Sequence, residues 1–184
     1  MAKPVSQRPD SQRIEEAFAY CPRCGTTNSE PGSIPFYCKA CEFAFYFGPV
    51  AAVGGLILDD QDRLLVVRRA RNPGIEKWGL PGGFVDRDES IEQALAREVF
   101  EETQLTLSSY ELLTTGPNHY TYTGVVADVI DLFFLCRVKA SEPVCLAPNE
   151  LSEYRWCVPG PEILENMAFP SNRTAIELWL SRRA

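Results

Sequence analysis

The sequence predicts an α/β sandwich, a mixed sheet held between helices, preceded by a small cysteine-rich metal module. Three observations lead there. Val50–Leu58 and Val129–Lys139 are apolar runs of strand length. Ser90–Gln104, between them, carries apolar residues at helical spacing. Cys21-Pro-Arg-Cys24 and Cys38-Lys-Ala-Cys41 form two Cys-x2-Cys pairs ahead of all three. Strands interleaved with helices bury their apolar faces as packed layers.

Taken in order, residues 1–19 are a polar lead with a short helical piece around Ile14–Ala19. Residues 20–47 hold both cysteine pairs, 13 residues apart. Four thiolates so spaced close a tetrahedral zinc site, and a site with four protein ligands is structural rather than catalytic. Such a ribbon has little core of its own, so the metal supplies its folding energy. Residues 1–13 are polar and lack the apolar segment of a secretory leader. That points to a cytoplasmic chain and to zinc in preference to disulfides. The aromatic end of the ribbon, Phe43, Phe45, Tyr46 and Phe47, has two readings: docking on the main domain, or alternation along a strand of the ribbon. Of the remaining cysteines, Cys136, Cys145 and Cys157, the first lies in an apolar run and reads as a small buried hydrophobe.

The main domain spans 48–184. Val50–Leu58 is a strand, Asp59-Asp60-Gln61-Asp62 a turn, and Arg63–Arg69 the partner strand. Trp78–Pro81 leads into a tight turn at Pro81-Gly82-Gly83. Ser90 with Gln93 has the spacing of a capping box, so a helix starts at Ser90 and runs to Gln104. Tyr110–Thr115, Val129–Lys139 and Tyr154–Val158 are strands, the second apolar enough to be central. Glu162–Ala168 and Asn172–Arg182 are helices, the last preceded by Pro170.

Composition narrows the function classes. The chain has 184 residues, 45% hydrophobic and 23% charged, enough for one sizeable core and a small appendage. Its net charge of −7 and pI of about 4.8 argue against a dominant polyanion-binding role, which needs clustered cations. No apolar run reaches membrane-spanning length.

The helix Ser90–Gln104 carries the chemistry. At about 100° per residue, Glu98, Glu101 and Glu102 fall on the same stripe as Ile91, Ala94, Leu95 and Leu105. Buried carboxylates without a partner each cost roughly several kcal/mol. A hard divalent cation, which takes oxygen ligands, compensates them. Glu98 and Glu102 are i and i+4, one above the other. Arg97 can orient Glu89 or Glu101 through charge-assisted hydrogen bonds.

The stretch from Gly83 to Leu105 resembles the Nudix box, Gly-x5-Glu-x7-Arg-Glu-U-x-Glu-Glu-x-Gly-U, with U an aliphatic residue. Gly83, Glu89, Arg97, Glu98, Val99, Glu101, Glu102 and Leu105 match at the required spacing. The last motif glycine is Gln104 here, at a helix end where the family's glycine is expected to be left-handed; the result is about 1 kcal/mol of capping strain or a shifted helix end, with no ligand lost. The resemblance implies an α/β/α sandwich with a mixed sheet. It also implies a hydrolase that cleaves a phosphoanhydride in a nucleoside diphosphate linked to another moiety. Glu98 and Glu102 would hold Mg²⁺ or Mn²⁺, Glu101 would complete or tune the metal shell, and the Gly83 carbonyl would add a ligand. The base is then Glu98 or a glutamate of a later loop, Glu150 or Glu153.

A zinc ribbon joined to such a domain is similar to NADH pyrophosphatases and to some FAD and ADP-ribose pyrophosphatases. The NADH-type enzymes carry a Ser-Gln-Pro-Trp-Pro-Phe-like motif after the box, where this chain has Thr115-Gly116-Pro117-Asn118-His119-Tyr120-Thr121-Tyr122. Substrate-contacting candidates are Arg69, before the box, Tyr120, as a base-binding wall, Phe169 in Ala168-Phe169-Pro170-Ser171, as a stacking ring, and Glu153. The expected partner is a small-molecule nucleotide, with no membrane, and with nucleic acid confined to capped RNA ends. The resemblance alone suggests a homodimer. Two other functions stay open: hydrolysis of modified nucleoside triphosphates, and a retired domain that only binds nucleotide, RNA or protein.

Overall fold

The computed structural model describes residues 12–122, 124–138 and 143–183. The expected lead over residues 1–11 and the strand end at Lys139 lie outside them. Two compact units form: residues 12–49 with 119–128, and residues 50–118 with 129–183. The sequence reading keeps 119–128 with the rest of 48–184; here it groups with the N-terminal segment.

In the first unit, β1 (Gln12–Arg13) pairs in parallel with Val125 and Val126. A 3-10 helix follows at Ile14–Ala17, inside the expected helical piece. β2 (Phe36–Tyr37) and β3 (Ala44–Phe45) form an antiparallel pair. Phe43 and Phe47 pack with Phe18 around buried Phe36, Cys21 and Cys38. Phe18 lies 4.7 Å from Phe47 and 5.7 Å from Phe45 by ring centroids. The aromatic segment therefore furnishes the ribbon's own core, the second of its two readings.

The second unit is built on β4 (Val50–Leu58), which runs parallel to Val129–Arg137 of β8 (Val125–Val138) over nine residue pairs. β4 meets β5 (Leu64–Arg69) in antiparallel sense at Leu58 and Leu64. β5 in turn pairs with β6 (Trp78–Gly79) and β9 (Leu151–Cys157), and β7 (Leu107–Tyr122) pairs with β8. The sheet is mixed and covered on both faces. Leu56, Leu58, Leu64 and Val66 point to one side with Trp78, Ile163, Ile176 and Trp179. Val53, Ile57, Leu65 and Val67 point to the other with Ala94, Leu95 and Val99 of α1 (Ile91–Thr103). Burial on both faces explains why the central strands are continuously apolar and do not alternate.

β8 and β9 start four and three residues before the expected Val129 and Tyr154, and three further elements differ from the sequence reading. β7 extends through Thr115–Asn118 to Tyr122, beyond the expected Tyr110–Thr115. Gly116-Pro117 would ordinarily break a strand, but among the described residues β7 is paired only to β8, and a strand with one open edge tolerates a proline. The helix expected over Glu162–Ala168 is a single turn, α2 (Pro161–Leu164). The Trp78 N–H donates to the Asn166 carbonyl and the Ala168 N–H to the Trp78 carbonyl, at 3.0 and 2.7 Å, so backbone that could continue the helix is bonded to β6. The last helix, α3 (Pro170–Ser181), starts two residues early because Pro170 fits the first helical position and holds Phe169 extended.

Candidate active site

The site is assembled where α1 passes the Pro81-Gly82-Gly83 turn. Ser90 caps the helix: its hydroxyl accepts from the Gln93 N–H at 3.2 Å, while the Gln93 side chain accepts from the Ser90 N–H at 2.8 Å. At the far end Gln104 adopts the left-handed conformation, φ 59°, and both its backbone and side-chain N–H groups donate to the Phe100 carbonyl. Helix length and phase are thereby set at both ends.

The turn lies tight against β4. The Gly55 N–H donates to the Pro81 carbonyl and the Val53 N–H to the Gly83 carbonyl, both at 2.8 Å. Gly82 has φ +147°, and a Cβ there would sit 2.1 Å from the Val53 carbonyl oxygen. A Cβ on Gly83 would lie 2.5 Å from the Glu98 carboxylate. The two glycines are thus needed for close approach, of turn to strand and of helix carboxylate to turn.

Glu102 is 6% exposed, and one carboxylate oxygen accepts from the Gly82 N–H at 3.0 Å. Burial, reinforced by the charges of Glu98 and Glu150, pushes its carboxyl up to about 8, against the pull of the Gly82 N–H and Arg69. Burial raises Glu98 as well, opposed by Arg97. Glu101 is different: its side chain is 59% exposed, so of the three carboxylates expected on the buried stripe Glu102 is buried, Glu98 half-buried and Glu101 exposed. Its helical phase places it on the flank beside Arg97.

Arg97 organises this flank. Its Nε and Nη2 hold the two Glu89 oxygens at 2.8 and 2.9 Å, and its Nη1 reaches Glu98 at 2.8 Å and Glu101 at 3.2 Å. A fifth bond runs to the Phe84 carbonyl at 3.1 Å. Glu89 is held below its usual range, foremost by the Arg97 bond. Glu89 also accepts from the Asp86 N–H, which fastens the loop 84–89 to the helix.

The structure separates the two late glutamates. Glu153 lies opposite Arg68 in the β5–β9 ladder and pairs with it at 3.0 Å and with Arg155 at 2.8 Å. Arg68 shares the face of Leu64 and Val66, on the side away from α1, and covers Trp78. Glu150, in contrast, bears on the charge of both Glu98 and Glu102. Its loop is tied to the end of α1, where the Cys145 and Ala147 N–H groups donate to the Thr103 and Glu102 carbonyls at 2.9 and 3.0 Å. The spacing of acids in sequence carries no signal for this; a chain reversal between distant elements decides it.

Two of the other substrate candidates meet: the Arg69 guanidinium lies 5.2 Å from the Phe169 ring centroid, and its Nε donates to the Pro73 carbonyl at 2.7 Å. Tyr120, half-buried on β7, belongs to the compact unit of residues 12–49 and 119–128, as does His119, whose Nδ1 lies 2.9 Å from Asp128.

The donor sets can be tested against their ions. Cys21, Cys24, Cys38 and Cys41 place four sulfurs within 4.8 Å of one another, with 3.7 Å between Cys21 and Cys41 and 3.6 Å between Cys24 and Cys38. A zinc–sulfur bond of about 2.3 Å in a tetrahedron spaces sulfurs roughly 3.8 Å apart, so the cluster fits such an ion. Among the described residues it is the one such group gathered so closely. The α1 carboxylates do not gather to that extent, since Glu98 and Glu101 are turned to Arg97. Their chemistry still fits a hard divalent cation: oxygen donors, one of them deeply buried with a single backbone donor. The Gly83 carbonyl already accepts from Val53 and has one lone pair left to offer.

A mixed sheet between helices, with a glycine turn set against an acidic helix, defines a Nudix hydrolase domain. The NUDIX domain profile matches residues 48–177, and the chain belongs to the Nudix family. It is 38% identical over 117 residues to a MutT-like protein of Streptomyces ambofaciens, covering 64% of this chain and 68% of that one. It is 29% identical over 119 residues to the NAD-capped RNA hydrolase NudC of Edwardsiella ictaluri, covering 65% of this chain but 43% of that one. Among solved structures, the NUDIX domain of Shewanella oneidensis NrtR complexed with ADP ribose superposes with a TM-score of 0.60 at 25% identity, covering 74% of this chain and 90% of that one. Among the described residues no helix is long and apolar enough to cross a membrane.

Proposed function

We propose that this protein is a divalent-metal-dependent pyrophosphohydrolase that cleaves the phosphoanhydride of a nucleoside diphosphate linked to another moiety. The carrying observation is the pair Glu98 and Glu102, one half-buried and the other buried against the Gly82-Gly83 turn, flanked by Arg97. Glu98 and Glu102, with Glu101 and the Gly83 carbonyl at the margin, would hold Mg²⁺ or Mn²⁺. Such an ion, when bound, neutralises the diphosphate and lowers the pKa of a coordinated water.

The protein's own groups do the rest. Arg97 fixes Glu89, Glu98 and Glu101 in one arrangement. Arg69 offers a guanidinium suited to a phosphate, and Phe169 beside it a ring suited to stacking. Glu150 or Glu98 accepts a proton from the attacking water, and the bond from the Glu150 loop to the Glu102 carbonyl supports Glu150 over Glu153. The four cysteines of the ribbon hold a structural zinc.

For the substrate, ADP-ribose, NADH and FAD form the first class to test. The ADP-ribose bound to the NrtR domain and the name of the NudC relative support this class. The deciding experiment is a hydrolysis screen with Mg²⁺ and Mn²⁺ over these compounds, NAD⁺, diadenosine polyphosphates, nucleoside triphosphates and NAD-capped RNA. AMP release from one dinucleotide, abolished by Glu98→Gln, is the expected result. Turnover of triphosphates alone overturns the substrate class, and nucleotide binding without turnover overturns the reaction.

A further inference from the structure

Arg71 lies outside the Nudix box and, among the described residues, makes one ion pair, its Nη2 standing 2.6 Å from a Glu150 carboxylate oxygen. The backbone holds both residues at their roots: the Ala70 N–H donates to the Glu150 carbonyl at 2.7 Å. On the other side, the Glu150 and Leu151 N–H groups close a turn on the Ala147 carbonyl, and Ala147 is itself bonded to Glu102. Where Glu150 stands is therefore set by the chain, and only the aim of its side chain remains free.

That aim needs a reason. The turn that carries Glu150 is bonded to the Glu102 backbone, yet the partly exposed carboxylate itself is free to swing out to water. Arg71 offsets this with a short charge-assisted bond. Arg71 is 58% exposed and Glu150 33%, so the pair adds little to stability and its use has to be sought elsewhere.

We infer that Arg71 is a positioning residue, which holds the Glu150 carboxylate over the Glu98–Glu102 pair in readiness for the hydrolytic step. The inference rests on the hydrolase reading and names a residue through which that site is completed. It distinguishes Arg71 from Arg69: Arg71 acts through Glu150, whereas Arg69 faces the substrate.

The test is a double-mutant cycle of wild type, Arg71→Ala, Glu150→Gln and the double variant, run at saturating Mg²⁺ with ADP-ribose and NADH, with Arg71→Lys as the conservative variant. Arg71→Ala should lower kcat about tenfold or more with KM nearly unchanged. Arg71→Lys should restore part of it, and the double variant should be no slower than Glu150→Gln. A raised KM with additive losses would mean that Arg71 binds substrate directly and would overturn the inference. The same four proteins are melted without substrate. Non-additive Tm shifts of about 1–3 °C are expected, and strictly additive shifts would show that the pair does not form, whatever the activity. A wild-type protein that turns over no substrate while the melting coupling is intact sinks the hydrolase reading, and the role given to Arg71 with it.

Discussion

The Gly82 N–H donates to the carboxylate of Glu102 across 3.0 Å, joining the turn before α1 to the inward face of its last turn. Twenty residues apart in the chain, the two enclose the most buried acid of the site. A substitution on either side of this bond separates the fold's demands from the chemistry's.

Glu102→Gln removes the negative charge that a bound cation would draw on while keeping the acceptor for Gly82. The variant should fold, melt no lower than wild type without metal, and lose about 100-fold or more in turnover. Its Tm should also stop responding to Mg²⁺. Near-wild-type rates in a steady-state assay would remove Glu102 from the metal site.

Gly82→Ala acts on the other partner. With φ at +147° and a new Cβ 2.1 Å from the Val53 oxygen, either the turn or β4 must move. Destabilisation of at least roughly 1–3 kcal/mol is expected, read as a lower denaturant midpoint together with weaker Mg²⁺ binding.

The folded, metal-free protein keeps a proton on Glu102 up to about pH 8, whereas an unfolded glutamate releases it near 4.5. The native state binds the extra proton, so this group's contribution is fully present below pH 4.5 and is lost as pH rises toward 8. Metal-free Tm should decline across that window, and Glu102→Gln should flatten the decline. Because the cation must displace the proton, Mg²⁺ affinity should rise with pH over the same range, which calorimetry in two buffers can read. A metal-free Tm that climbs through this window in wild type but not in the variant would reverse the assignment.

Gln104→Gly relieves a left-handed residue at φ 59° but gives up the side-chain bond to Phe100. A net gain of about 0.5–1 kcal/mol is expected with turnover unchanged, since no site group is touched. A large change in rate would show that the helix end reaches the chemistry.

Stripping metal from the ribbon with a strong chelator should release amide protection over residues 20–47 before the β4–β5 strands exchange. One zinc per chain is expected in the untreated, reduced protein. Absence of zinc with all four thiols free would overturn the ribbon assignment.

Much of this was legible in one dimension. Apolar runs buried on both faces announced β4 and β8, the Ser90–Gln93 spacing announced the start of α1, and the Nudix box named its acids. These are local signals: periodicity, capping chemistry and motif spacing all act within a turn or a strand. The left-handed turn at Gln104 was legible for the same reason. What the sequence left open depends on which distant segments meet. α2 stops after one turn because β6 takes up its backbone, and β7 runs through Gly116-Pro117 because β8 supplies its partner. Glu150 and Glu153 look alike three residues apart, yet the loop bonded to Glu102 and the β5–β9 register put one beside the buried acids and the other beneath Trp78's arginines. Residue type and spacing determined which chemistry this chain carries; the tertiary pairing of strands and loops decided which side chains share it, because only folding sets distances between groups far apart in the chain.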